Sequence, residues 1–539
     1  MAPPPSDPSS DPAAAQMQRL EARLARIEAY LRLDESAAAP KASPACVEQR
    51  EEELEFKVGQ EWFAKVGIAA LGFGAAFTLS QPYAGLASAL PSLAGFALAG
   101  AIYALAAFFT RRLEVVCAPL IATAMGLCWF SGLRLCYLGA EHALAADSLA
   151  GAGVLTLCAA LNLVVALRKG SPWLSGFALV TGYATAVAVG EPAYALALIA
   201  LLSVAAAAAG VARHKPVMVL TAMPLAYAAY AAWALNNPFL GRPVQWFAPA
   251  PWGPLALLVS LAAFSLGLLL STPDREDMVA NAGIFLTTCL GSLIYLMHAL
   301  QSYEGRFVEA QAVASVSLLA LAFVHARRKD PIGSFVCAMA GFLLLSFAIM
   351  KATRAPEMFV WLSVQSVIVV ATAIWLRSRF VVVANFVIFV GILAGYVASV
   401  EQERGVSLGF GVVAMVTARL LAWKQERLEL KTMLMRNAYL AVAFVVFPYA
   451  LYHLVPPAWV GLAWVGAALL YYLVAAVLHN SKYRWMGHAT LLLTAVYMAV
   501  AGLSRLEPLL RTLSLVVLGV VLLVVSLIFT RLRSRRKVP

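Results

Sequence analysis

The chain has 539 residues, of which 62% are hydrophobic and 13% charged, and its formal net charge is +12. A soluble protein carries about 25% charged and 45–50% apolar residues. This composition therefore excludes a soluble globular enzyme, a secreted disulfide scaffold and a disordered chain.

The mean hydropathy of +0.81 comes in apolar blocks near twenty residues long, the length that crosses a bilayer as a helix. A membrane β-barrel is excluded, because its strands alternate polar and apolar over about ten residues. In a membrane protein an excess of lysine and arginine first marks cytoplasmic loops, and nucleic acid is not an expected partner.

In chain order, residues 1–14 (MAPPPSDPSSDPAA) are rich in proline and poor in apolar groups, so a disordered N-terminus is expected. They lack the basic-then-apolar pattern of a cleavable signal, which leaves insertion to the first spanning helix. Residues 15–33 read as an amphipathic, coiled-coil-like helix. Met17, Leu20, Leu24, Ile27 and Leu31 recur at alternating spacings of three and four. Arg23 and Glu28 stand where they can pair across a parallel dimer. Self-association or capture of a cytoplasmic protein partner is one reading of this arm; an amphipathic helix lying on the membrane or on its own protein is the other. Residues 34–61 form a charged linker.

From residue 62 to 530 the chain reads as one transmembrane domain of about eighteen helices in short-looped hairpins. The segments fall near 62–80, 88–110, 115–137, 148–167, 172–190, 193–212, 216–236, 252–271 and 278–299. They continue near 309–325, 331–350, 356–376, 379–399, 406–423, 433–453, 457–478, 485–504 and 512–530. The fold class is an all-α polytopic membrane protein.

The loops check this register. Every second loop is basic, as at Arg111-Arg112, Arg168-Lys169, Arg327-Arg328-Lys329 and Lys482 with Arg484, and residues 531–539 add a basic tail. About 23 basic residues fall on one side and about 7 on the other. The positive-inside rule then sets both termini in the cytoplasm. The longest outer loop, 237–251, is rich in proline and aromatic residues and suits the membrane interface.

Small residues mark expected helix contacts. Gly391 with Gly395, and Gly405 with Gly409, have GxxxG spacing, and Ala205–Gly210 is a thin run. Seven cysteines, an odd number without a CxxC pair, suggest buried free thiols; no disulfide framework, metal or cofactor is expected.

Ionisable residues within a membrane are costly and point to function, yet the predicted span centres hold almost none. Asn162, Asn281 and Asn385 are the main central amides, and hydrogen bonding between helices accounts for them. Charge gathers instead at outer helix ends. Glu141, His142, Glu191 and His298 are the candidates for general acid–base work on an outer-leaflet substrate, and Arg134 and Arg505 for holding a phosphate headgroup. The competing reading is that helix ends are wet and tolerate charge. His325 and His479 adjoin cytoplasmic ends and read as interfacial. P-loop, HExxH and GxSxG motifs are missing from the sequence.

The most informative stretch is residues 55–83, EFKVGQEWFAKVGIAALGFGAAFTLSQPY, with Gly59, Trp62, Gly67, Leu71, Gly72, Gly74 and Phe77. It resembles the entry segment of the bacterial multi-spanning inner-membrane proteins of the domain-of-unknown-function 2339 family. There an N-terminal coiled-coil-like helix and a charged linker precede a glycine-rich first span. The resemblance implies a bacterial inner-membrane protein and supplies no catalytic residues. Read on their own chemistry, Gly59, Trp62, Gly67, Gly72 and Gly74 are packing and anchoring positions.

The sequence therefore favours a noncatalytic role: a membrane scaffold or assembly factor, or a transporter of lipid or a small solute. The alternative is a membrane-embedded enzyme acting on a lipid-linked or periplasmic substrate, which requires the outer charges to converge.

Overall fold

A computed structural model describes residues 63–81, 83, 85–109, 114–138, 143–145, 148–247, 251–272, 274, 277–398, 406–423, 432–498, 500, 516–521 and 523–524. The expected arm at 15–33, the linker at 34–61 and the tail at 531–539 lie outside the described residues. The described chain is helical throughout, with no strand. It divides into two compact units, Met1–Leu144 and Ala145–Pro539.

The first unit contains α1 (Phe63–Ser80), α2 (Leu90–Phe109) and α3 (Glu114–Tyr137). α2 and α3 form an antiparallel pair whose register is set at both ends. The Cys117 thiol donates to the Ala106 carbonyl at 3.5 Å, and Gly95 lies so close to Ser131 that a β-carbon would collide with it. α1 lies against α3, with Gly72 at the crossing: a β-carbon there would be 2.7 Å from Thr123 Cγ2. Gly67 and Gly74 face open space. Of the described signature glycines, only Gly72 is therefore a packing position.

The second unit contains α4 (Leu149–Lys169), α5 (Pro172–Ala188), α6 (Pro192–Arg213), α7 (Pro216–Ala234), α8 (Gly253–Ser271), α9 (Met278–Ser302) and α10 (Phe307–Arg327). It continues with α11 (Pro331–Ala352), α12 (Glu357–Leu376), α13 (Arg379–Ala398), α14 (Val406–Trp423), α15 (Thr432–Leu454), α16 (Val460–Leu478) and α17 (Ser481–Tyr497). From α4 to α17 nearly every helix packs on its successor and many also on the next but one, so the bundle grows serially along the chain.

Local chemistry sets these boundaries. Proline opens α5, α6, α7 and α11, where a missing N–H costs nothing. Ser148, Asp277, Asp330 and Asn480 accept first-turn N–H groups through their side chains. Left-handed caps at Gly170, His214, Arg377 and His479 turn the chain back within two or three residues on the basic-loop side. The Asn480 cap also explains why α17 begins at Ser481 and not near 485. Lys482, Tyr483 and Arg484, read from sequence as loop, are its first turn.

Thirteen described helices are long and apolar enough to cross a membrane. α1 and α14 have shorter apolar stretches, Val66–Ser80 and Leu408–Trp423. The chain is thus a multi-pass membrane protein. Large apolar side chains such as Phe73, Phe77, Phe108 and Leu157 are at least 70% exposed, which suits a surface solvated by lipid tails.

Inside the second unit, one core runs from α5 to α11 around Tyr230, Phe264 and Leu268. Another runs from α11 to α17 around Phe389, Phe410 and Tyr439. Ala207 and Gly267 bring α6 and α8 together, with a Gly267 β-carbon placed 2.9 Å from Ala207 Cβ. The thin run on α6 therefore packs as its composition suggests. The GxxxG expectation fails at Gly391 and Gly409, which have nothing within 4 Å, and Gly395 has only ordinary contact with Phe359. Gly405 lies outside the described residues.

Two of the three central amides bridge helices. Asn162 donates to Thr181 at 3.4 Å, and Asn385 donates to Ser366 Oγ and the Tyr439 hydroxyl at 2.8 and 2.9 Å. In the loop that follows α7, Phe239 and Trp246 are exposed, while Arg242 and Asn237 donate to the Gly190 and Val187 carbonyls. This places aromatic groups where the interface accommodates them.

Candidate functional site

Among the described residues, three buried clusters centre on a histidine or an arginine. The first joins three helices at a basic-loop end. α10 ends at Arg327, and the Asp330 N–H returns to the His325 carbonyl at 3.0 Å. This turn sets Asp330 at the head of α11. Its Oδ1 accepts the N–H groups of Ile332 and Gly333 at 3.1 and 3.0 Å. Its Oδ2 lies 2.7 Å from His325 Nδ1. On the far side of the ring, Nε2 is 2.9 Å from Ser265 Oγ on α8.

Ser265 and His325 are completely buried and Asp330 nearly so. Burial pushes the Asp330 carboxyl up. The His325 hydrogen bond, the backbone N–H groups of Gly333 and Ile332 and the His325 charge outweigh it, holding the carboxyl below the usual aspartate range. An ionised Asp330 accepts the Nδ1 proton, and Nε2 on the other side of the ring is left to pair with the Ser265 hydroxyl. Gly333 is required here: a β-carbon would collide with both His325 Nδ1 and Asp330 Oδ2.

These are the residue types and distances of a serine–histidine–aspartate relay. Here the three side chains are paired with one another and with backbone N–H groups inside the helix packing, an arrangement that joins α8, α10 and α11 as a polar clamp.

The second cluster surrounds His298. Its Nδ1 lies 2.7 Å from the Tyr230 hydroxyl. Trp233 stacks on the imidazole at 5.3 Å and 5°, and Phe247 meets its edge at 5.7 Å. Gly253 opens the space, since a β-carbon there would be 2.8 Å from His298 Cε1. α9 continues to Ser302, so His298 lies one turn inside the helix and is completely buried.

The third cluster is in the first unit. Arg134, in the last turn of α3, is only 4% exposed. Its Nη2 donates to the Gln81 carbonyl at 3.2 Å, and its guanidinium carbon is 5.9 Å from the Tyr83 ring centre. Arg134 Nε and Nη1 are buried without a hydrogen-bond partner among the described residues. Ser92 Oγ, on the first turn of α2, is likewise buried and unpartnered.

Among the acid–base candidates, Glu191 is exposed at the head of α6 and makes no side-chain capping bond, in contrast to the enclosed His298. Glu141, His142 and Arg505 lie outside the described residues, as do Gly59 and Trp62. Sequence reasoning missed His325, which it read as interfacial. A local signal existed in His325-Ala-Arg-Arg-Lys-Asp330-Pro331, where an aspartate before proline marks a helix start. Ser265 carried no signal, because its partner stands 60 residues further along the chain.

No protein family, curated protein or solved structure matches the chain.

Proposed function

We propose that this multi-pass membrane protein is a noncatalytic scaffold or assembly factor of a bacterial inner membrane. The observation that carries the reading is the closure of the Ser265–His325–Asp330 clamp. Its potential nucleophile and base are buried, and both oxygens of its carboxylate are used within the fold. Polar groups of this kind join helices and hold a bundle in one arrangement. The imbalance of about 23 basic residues against 7 between alternate loops supports cytoplasmic termini. Membership of the domain-of-unknown-function 2339 family belongs to the same proposal, supported by residues 55–83. The amphipathic pattern at 15–33 supports self-association or a cytoplasmic protein partner.

A fluorophosphonate probe tests the noncatalytic reading directly. The full chain in maltoside micelles is expected to remain unlabelled. Covalent labelling that disappears in Ser265→Ala would replace the scaffold with a serine hydrolase. Deleting residues 1–48 is expected to lower the assembly mass measured by light scattering, and an unchanged mass removes the self-association role.

Transport of a lipid or small solute is the second reading, favoured by the incompletely paired guanidinium of Arg134.

A further inference from the structure

An arginine side chain stays protonated in proteins, and burying a charge without full pairing is expensive. Most buried donors in a fold are matched by its own acceptors. At Arg134 this accounting does not close. One guanidinium nitrogen reaches the Gln81 carbonyl, and the guanidinium lies over the Tyr83 ring, but Nε and Nη1 have no acceptor among the described residues.

A second orphan donor stands at the same level. Gly95 on α2 faces Ser131 on α3. Ser92 and Arg134 each lie three residues further toward the same end of this antiparallel pair, about one helical turn. Ser92 Oγ is fully buried and has no partner among the described residues. α2 also begins here, at Leu90, and the first turn of a helix is the positive end of its dipole. Two guanidinium nitrogens, one hydroxyl and a helix start are thus gathered at one end of the first unit. Leu90 and Leu93 beside them are at least 50% exposed, offering apolar surface to an acyl chain.

We propose that Arg134 and Ser92 form a binding site for the phosphate of an anionic lipid headgroup. Phosphate presents several acceptor oxygens, and arginine meets them through paired N–H groups. The site lies at the end of α3 opposite the Arg111-Arg112 loop, so the lipid belongs to the leaflet away from the basic loops. The inference goes beyond the scaffold reading and does not depend on it, because a scaffold, a transporter and an enzyme can each hold such a lipid.

The test uses the full chain in maltoside micelles with four additions: none, phosphatidylglycerol, phosphatidylcholine and inorganic phosphate. Native mass spectrometry reads lipid retention, and thermal unfolding reads stabilisation. Phosphatidylglycerol is expected to be retained and to raise the unfolding temperature, with phosphatidylcholine weaker and inorganic phosphate ineffective. Loss of charge-assisted hydrogen bonds in Arg134→Gln predicts about a tenfold or greater fall in retention, with partial recovery in Arg134→Lys.

Ser92→Ala guards against misfolding. Its hydroxyl has no partner among the described residues, so the variant is expected to unfold at the wild-type temperature without lipid and still retain less phosphatidylglycerol. Unchanged retention in both Arg134→Gln and Ser92→Ala overturns the site. Equal stabilisation by inorganic phosphate alone overturns the lipid as its source. Neither result bears on probe labelling of Ser265, so failure here is separable from failure of the scaffold reading.

Discussion

The Arg134 end of the first unit and the His325 clamp of the second solve the same problem in opposite ways. Each buries an ionisable side chain at a helix end. Around His325 the fold supplies every partner: a serine on one ring nitrogen, a carboxylate on the other, and two backbone N–H groups behind that carboxylate. Around Arg134 it supplies one carbonyl and one ring face, and leaves two nitrogens without an acceptor among the described residues. A closed polar cluster stabilises its fold, whereas an open one stabilises whatever completes it. The difference therefore separates structural chemistry from ligand chemistry inside one chain.

Substitutions should divide along this line. Asp330→Ala is expected to have the largest effect, a loss of about 3–5 kcal/mol, because it removes a helix cap and strands a buried partner. Thermal unfolding in maltoside checks this, and a loss below about 1 kcal/mol would break the closed half of the comparison. Arg134→Met should have the opposite sign in lipid-free micelles. Replacing a partly paired buried charge with an apolar chain of similar length is expected to leave stability unchanged or raise it by about 1–4 kcal/mol. A clear loss there would mean that Arg134 is already satisfied.

Gly333→Ala should cost about 1–3 kcal/mol through overpacking against His325 and Asp330. It should cost less in an Asp330→Ala background, where one colliding group is gone; equal cost in both backgrounds would place the strain elsewhere.

The smallest effect is acid sensitivity. The Asp330 carboxyl is held below its ordinary value of 3.8. Its contribution is therefore complete above the unfolded value and is lost as pH falls through the lower folded value. The stability difference between wild type and Asp330→Asn should fade only below about pH 3.9. A difference that vanishes near neutral pH would show that the carboxylate is not the stabilising form.

Much of the fold was legible because spans are written locally. A twenty-residue apolar run, a capping aspartate or asparagine, and a proline in the first turn all act within a few residues. This is why α4 to α12 begin and end close to their expected positions. The packing faces were harder to read. Gly72 and Gly391 look alike as sequence, yet one meets Thr123 and the other faces open space. Which side of a uniformly apolar helix meets a neighbour is not encoded by hydropathy when lipid is as apolar as the core. The candidate sites divided similarly. Arg134 stood out as a charge at a helix end, but its burial and the unpartnered Ser92 opposite depend on how α2 meets α3. His298 read as a helix-end candidate because its helix was expected to stop near 299; the helix runs three residues further, and Trp233 and Phe247 enclose the ring.

The amino-acid sequence by itself determined the class of this protein, its succession of apolar helices and the alternating charge of its loops. These follow from hydropathy, capping and loop charge, each read over a few to about twenty residues. Only the tertiary structure decided that Ser265 meets His325 across 60 residues and that the Arg134 guanidinium is buried with two nitrogens unpaired. Such pairings belong to helix register and rotation, and those are set by side-chain packing between distant segments.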